Sequence, residues 1–135
     1  DKRFTKNSIN KISSVDLTGI EFYNLSWEEF LKKIPNTSNN KDESNDDTDL
    51  LYLDPPYLLG SGSKLYGTKG DLHANFDHTS LCKELLKRKN WILCYNDCSQ
   101  IRELYDDETL TIYDVDWSYG MNKSKKSSEV IIIKL

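Results

Sequence analysis

Short apolar segments separated by amphipathic helical patterns most limit how this 135-residue chain can fold. Residues 50–53 and 91–95 are apolar throughout, which is typical of strands covered on both faces of a sheet. Between them, Asp77 is a helix N-cap, and apolar residues then recur on one stripe up to about Lys89. Strands that alternate with helices predict a parallel sheet, so we expect an α/β fold.

The end of the chain predicts an antiparallel addition to this sheet. Residues 110–117 and 129–135 are strand-like, and a polar loop joins them. Before them, Asp97 and Gln100 have the spacing of a capping box for a short helix up to Tyr105. We therefore expect the α/β sheet to end in an antiparallel hairpin.

The first third of the chain predicts one more strand and one more helix. Residues 19–23 read as a short strand. Ser26, followed three residues later by Glu29, forms a capping box, and Pro35 ends the helix that it opens. Residues 36–48 are almost free of apolar side chains, and we interpret them as a disordered acidic insert.

The net charge of −4 excludes no partner, because it comes from one segment. Residues 36–50 contain five acidic side chains and one lysine, so the acidic and basic residues of the remaining chain balance. The chain has no apolar run of about 20 residues, the length of a membrane-spanning helix. Its three cysteines lack zinc-site spacing, and we read them as reduced intracellular thiols.

A candidate functional site lies at the end of the first apolar strand, in the segment Asp54-Pro55-Pro56-Tyr57. The prolines stiffen it and keep Asp54 extended, so that the Pro55 carbonyl has a defined direction. Two acceptors then converge beside the flat ring of Tyr57. This combination suits a planar base, whose exocyclic amino group donates to both acceptors while its ring stacks on Tyr57. The alternative is a strand-exit turn, but the preceding strand and the following glycine-rich loop favour a site.

Several segments, in order, resemble the adenine-N6 DNA methyltransferases of the Dam-like D12 class. "LLYLDPPY" resembles their catalytic motif, and "GIEFYNLSWEEFL" the strand and helix before it. "FDHTSLCKELLKR" and "WILCYND" are similar to the next helix and strand, and "WSYGMN…SSEVIIIKL" to the closing hairpin. The resemblance implies part of a Rossmann-like sheet that binds S-adenosylmethionine (AdoMet).

The resemblance also implies roles for single residues. Asp54 and the Pro55 carbonyl would orient the amino group of a flipped adenine in double-stranded DNA, and Tyr57 would stack on its ring. Pro56 belongs to the same catalytic motif. No metal is implied.

For other positions the sequence allows a functional and a structural interpretation. Phe76 is near the base or is a helix-start staple, and Asn24 is near AdoMet or is an exposed turn residue. Asn96 lines the pocket, whereas Asp97 is a helix cap. The basic residues of the last loop either contact DNA phosphates or are solvated; they are Lys123, Lys125 and Lys126.

The sequence departs from the family where the cofactor loop is expected. It contains no Phe-x-Gly-x-Gly segment, and Gly60-Ser61-Gly62 follows the wrong strand. We therefore expect a single C-terminal portion of the catalytic domain over residues 1–135, without the first strands and inactive until an N-terminal half or a separate subunit completes it. Residues 1–14 resemble the exit from the DNA-recognition region. The expected location is cytoplasmic, at the nucleoid in a prokaryote.

Two alternatives remain open from the sequence. The chain is a non-catalytic remnant or subunit that binds DNA or a partner chain, or it belongs to a methyltransferase for RNA or protein, since related motifs serve those substrates.

Overall fold

The structure is a computed structural model that describes residues 5–34, 50–58, 75–118 and 126–135. The chain divides into two compact units, Asp1–Pro35 and Asn36–Leu135. The acidic insert predicted at 36–48 lies outside the described residues.

The first unit contains two helices. Helix α1 spans Lys6–Ser13, and the hydroxyl of Thr5 caps it by accepting a hydrogen bond from the Ser8 amide at 3.1 Å. Sequence analysis did not predict α1, because its residues are mostly polar and none of them is buried. Its formation depends on the cap and on local backbone hydrogen bonds.

Helix α2 spans Trp27–Lys33 and has the predicted capping box. The Glu29 amide donates to the Ser26 hydroxyl at 3.2 Å, and the Ser26 amide donates to the Glu29 carboxylate at 3.0 Å. Ile34 is already extended, as expected for a residue before proline. The capping-box prediction is confirmed.

The strand predicted at residues 19–23 is wrong. These residues form no strand, and Phe22 is 76% exposed. A strand requires a neighbouring chain for its backbone hydrogen bonds, and none of the described strands pairs with this segment. Tyr23 instead packs 5.9 Å from the Phe30 ring, and the Lys33 ammonium lies 4.6 Å from the Tyr23 ring centre.

The second unit contains a four-stranded mixed sheet in the order β1-β2-β4-β3. The strands are β1 (Leu51–Leu53), β2 (Trp91–Asn96), β3 (Thr111–Ser118) and β4 (Lys126–Lys134). Strands β1 and β2 are parallel, whereas β4 runs antiparallel to both β2 and β3. The predicted α/β sheet with a closing antiparallel pair is confirmed.

In the described residues of this unit, two helices accompany the sheet, α3 (His78–Leu86) and α4 (Ser99–Leu104). Asp77 caps α3 as predicted, accepting from the Ser80 amide at 2.9 Å. No helix in the described ranges is long and apolar enough to cross a membrane.

The capping box predicted from Asp97 and Gln100 is wrong. The N-cap of α4 is Cys98, which makes no side-chain cap bond. The Asp97 carboxylate instead accepts from the Arg102 Nε at 2.7 Å, because an arginine one turn into the helix offers a charged donor.

One side of the sheet, the core face, is covered by both helices. It consists of Trp91, Leu93, Tyr95, Val130 and Ile132, and none of these side chains is exposed. The Trp91 indole donates to the Leu85 carbonyl of α3 at 2.9 Å, and Tyr95 packs 6.0 Å from Tyr105 at the end of α4.

The opposite side, the open face, is less buried than predicted. It consists of Tyr52, Ile92, Cys94, Asn96, Glu129, Ile131 and Tyr113, which the strand registers place on one side. Tyr52 is 64% exposed, so the expectation that β1 is covered on both faces is wrong. The physical reason is that α3 and α4 both lie against the core face.

Candidate active site

The Asp-Pro-Pro-Tyr segment lies where two neighbouring strands end. Asp54 is exposed directly after β1, and the next three residues are half-buried. Because β1 and β2 are parallel, with Leu53 beside Leu93, the end of β1 lies close to Asn96 at the end of β2. Carboxyl ends of parallel strands are where ligands bind in open α/β sheets.

The Tyr57 ring packs against the central strand. Its centre lies 6.4 Å from that of Tyr95, with the rings tilted by 49°. Burial raises the pKa of Tyr57, and the negative charges of Glu129 and Asp54 raise it further. Tyr57 therefore presents a neutral ring at neutral pH.

Asn96 secures this segment from β2. Its amide nitrogen donates to the Leu58 carbonyl at 3.0 Å, which fixes the backbone immediately after Tyr57. The other end of the amide, the Oδ1 atom, is buried and finds no hydrogen-bond partner in the part of the chain that the structure describes. A buried acceptor without a partner is costly, and a ligand that donates a hydrogen bond would satisfy it.

Three residues near Asp54 were missed by sequence reasoning. The hydroxyl of Tyr52 lies 3.3 Å from the Cys94 sulfur. This contact and the charges of Cys94, Asp54 and Glu129 raise the pKa of Tyr52 to about 12. Glu129 is the register partner of Asn96 across the β2–β4 ladder, a long-range relation for which the sequence carries no local signal.

Phe76 is connected to Tyr57 through two other rings. It lies edge-on to His78, with ring centres 5.0 Å apart, and precedes the N-cap of α3. His78 Nδ1 lies 2.8 Å from the Tyr95 hydroxyl, and Tyr95 in turn packs against Tyr57. Both readings of Phe76 stay open, since its position suits a helix-start staple and it lies at the end of this aromatic cluster.

The other predicted site residues are Asn24 and three lysines. Asn24 is exposed in the first unit. Lys123 and Lys125 lie outside the described residues, and the backbone of Lys126 begins β4 opposite Ser118. Within the described ranges, no three His, Cys, Asp or Glu side chains are placed to bind a metal ion together.

A family model described as D12 class N6 adenine-specific DNA methyltransferase matches residues 3–121, well over half of the chain. The chain belongs to this family. A separate comparison with curated proteins found no match.

Membership of the D12 class tells which reaction the family performs. The family methylates adenine N6 in DNA and is AdoMet-dependent. The matched residues cover both units but end before β4, so that Glu129 lies beyond them.

Proposed function

We propose that this chain supplies the adenine-binding part of an active site that transfers a methyl group from AdoMet to N6 of a flipped adenine in DNA. The observation that carries the proposal is the exposed Asp54 carboxylate at the strand end, beside the ring of Tyr57. The roles of the other residues follow from the hydrogen-bonding groups and the ring of adenine.

The amino group of adenine has two N–H bonds, and the segment offers two acceptors. The Asp54 carboxylate accepts one bond and the Pro55 carbonyl the other, while Pro56 keeps the segment stiff. Holding both N–H bonds draws the nitrogen lone pair out of conjugation with the ring. The Oδ1 of Asn96 is a further acceptor for the edge of the base.

Tyr57 binds the ring of the same base. Stacking on an aromatic side chain contributes about 1–3 kcal/mol, which offsets the few kcal/mol that base flipping costs. The ring is uncharged at neutral pH, as for any tyrosine, and burial raises the Tyr57 pKa further.

AdoMet, when bound, supplies an electrophilic methyl group on a positively charged sulfur. The contribution of this chain to the reaction is to hold N6 in line for attack, and positioning of this kind can lower a barrier by about 7–11 kcal/mol. As N6 takes the methyl group, the bond from that carbon to the sulfur would break and leave the neutral thioether, and N6 would give up a proton, for which Asp54 is an acceptor.

The residues fit the adenine half of such a site and not the AdoMet half. The sequence has no Phe-x-Gly-x-Gly loop, and the candidates for cofactor contact are Asn24 and Asp54. We therefore propose that an N-terminal half or a separate subunit completes the site. Among the described strands β1 pairs with β2 alone, and its Tyr52 side chain is 64% exposed, which supports a missing neighbour.

The proposal extends to the DNA backbone. Lys123, Lys125 and Lys126 would contact phosphates, and residues 1–14 would lead from the region that reads the DNA sequence. Binding through such contacts weakens as salt rises.

Calorimetry with AdoMet tests the proposal, on this chain alone and mixed with the N-terminal half of a D12 methyltransferase. We expect binding in the mixture only, together with transfer of a tritiated methyl group to unmethylated DNA. Asp54→Ala in the mixture should reduce transfer by about 10²–10³-fold, as the loss of a preorganised polar contact does elsewhere. Tight AdoMet binding or robust transfer by the chain alone would contradict the incomplete site.

The missing cofactor loop also favours a second candidate, a non-catalytic chain that binds DNA. In that case Asp54→Ala leaves DNA binding unchanged and no mixture transfers methyl groups. A flipping site instead prefers duplexes with a mismatch opposite adenine, because the base is already loosened.

A further inference from the structure

We propose that His78 is a positioning residue, which holds the Tyr95 hydroxyl and through it the ring on which Tyr57 packs. The functional consequence, an oriented stacking ring for adenine, rests on the proposed function above. The positioning itself does not, because it concerns contacts within this chain.

The contact between His78 and Tyr95 is direct. The Nδ1 atom of His78 lies 2.8 Å from the Tyr95 hydroxyl, a normal hydrogen-bond distance, and the two ring centres are 5.5 Å apart. A phenol both donates and accepts, so this hydrogen bond forms with either neutral tautomer of the imidazole. Tyr95 is completely buried, and a buried hydroxyl is costly to leave unpaired. The bond should therefore persist in solution.

Tyr95 links three parts of the second unit. Its ring centre lies 6.4 Å from that of Tyr57 and 6.0 Å from that of Tyr105 at the end of α4. Contacts between rings are favourable over a range of centre separations of about 4.5–7 Å, whereas a hydrogen bond is directional. The bond to His78 thus fixes the hydroxyl end of Tyr95, and a fixed Tyr95 ring gives Tyr57 a defined surface to pack on.

His78 is itself held in place by the start of α3. It is the first residue of the helix, directly after the Asp77 cap, which accepts from the Ser80 amide at 2.9 Å and from the Ser80 hydroxyl at 2.7 Å. The Phe76 ring packs edge-on against the imidazole, with the ring centres 5.0 Å apart. The cap and Phe76 limit the movement of His78, so the start of the helix determines the position of Tyr95.

The Asp54 segment is then held at two different points. Asn96 secures its backbone after Tyr57, by donating to the Leu58 carbonyl at 3.0 Å. His78, acting through Tyr95, secures the ring of Tyr57. A ring that is held in place before the base arrives loses less conformational freedom on binding.

Two variants of His78 separate its hydrogen bond from its bulk. His78→Asn keeps a polar atom in the place of Nδ1, since both atoms are bonded to Cγ, whereas His78→Leu replaces it with an apolar group. We expect nuclear Overhauser cross-peaks between the Tyr57 and Tyr95 rings in wild type and in His78→Asn, and their loss in His78→Leu. Thr79→Ala, an exposed neighbour on α3, is the control and should keep them. Cross-peaks of wild-type intensity in His78→Leu, or their loss in His78→Asn as well, would overturn the proposal.

A double-mutant cycle tests whether His78 acts through the hydroxyl of Tyr95. Adenosine affinity is measured for wild type, His78→Leu, Tyr95→Phe and the double variant. We expect each single substitution to weaken binding about 3- to 10-fold, the range of one hydrogen bond, and His78→Leu to have no further effect in Tyr95→Phe. If His78→Leu does not fold, Tyr95→Phe removes the same bond by the loss of one oxygen atom. Equal losses from His78→Leu in both backgrounds, or an unchanged affinity in Tyr95→Phe, would contradict the positioning.

The two experiments separate the inference from the proposed function. If no variant binds adenosine but the cross-peaks are lost in His78→Leu and kept in His78→Asn, the function fails and the positioning stands. If adenosine binds equally well to all variants and the cross-peaks stay, the positioning fails alone.

Discussion

The two faces of the sheet are built from the same strands and differ in what they contribute. On the core face, alternate residues of β2 and β4 are completely buried under α3 and α4. On the open face, their sequence neighbours are half-buried, and Tyr52 remains 64% exposed. The open face also carries the polar residues near Asp54.

This difference indicates that the two faces of the sheet have different roles. The core face supplies stability, because burial of apolar area is the main favourable term in folding. The open face includes the Oδ1 of Asn96, a buried acceptor for which the described residues supply no hydrogen bond. Substitutions on the two faces should therefore change different properties.

The largest expected effect compares two neighbours on β4. Ile132→Ala on the core face should lower the free energy of unfolding by about 2–5 kcal/mol, since it leaves a cavity under the helices. Ile131→Ala on the open face should cost about 1 kcal/mol, because that side chain is only half-buried. Urea denaturation measures both. Equal losses would show that the two faces are equally packed.

A smaller effect is expected at the link between Asn96 and the Asp54 segment. Asn96→Ala removes the bond to the Leu58 carbonyl and should cost about 1 kcal/mol in unfolding free energy. The exposed Asn75→Ala is the control and should stay within about 0.5 kcal/mol. If Asn96→Ala is as stable as its control, that bond does not anchor the segment.

The smallest expected effect is the pH dependence of the stability that the contact between Asp97 and Arg102 contributes. Hydrogen bonding and charge from Arg102 lower the pKa of Asp97, so this contact contributes stability above the ordinary aspartate pKa and loses it as pH falls through the lowered value. The contribution is small because water screens it.

Arg102→Met removes the contacts of Arg102 with both Asp97 and Asp114, and should therefore lose less stability than wild type between pH 7 and pH 3. Thermal melting at the two pH values measures this difference, with Lys89→Met as the control. An acid loss identical to that of wild type would mean that the Asp97–Arg102 contact has no weight in solution.

Most elements that the sequence predicted have local signals, although helix α1, with its local Thr5 cap, was not predicted. The capping box of Ser26 and Glu29, the Asp77 cap and the apolar runs of β1 and β2 all lie within a few residues of the structure that they specify. The strand at 19–23 failed because a strand depends on a partner. The Asp97 capping box failed because Arg102 competed for the carboxylate.

The candidate site was predictable only in part, for the same reason. Asp54 to Tyr57 could be singled out because a carboxylate, two prolines and a ring adjoin in sequence. The place of Glu129 opposite Asn96 depends on the β2–β4 register, and the Tyr52–Cys94 contact joins residues far apart in the chain. The sequence around Glu129, Tyr52 and Cys94 is typical of ordinary strands, so no local pattern identifies these residues as part of a site.

The most direct test of the central claim is an NMR titration of this chain with adenosine and with N6,N6-dimethyladenosine, which has no N–H bond on N6. We predict that adenosine shifts the backbone amide signals of Asp54, Tyr57, Leu58 and Asn96, and that the dimethyl compound binds at least about 10-fold more weakly, since two hydrogen bonds are lost. Asp54→Ala should reduce this discrimination. Equal binding of the two nucleosides, or shifts confined to other residues, would contradict a site built to hold the amino group of adenine.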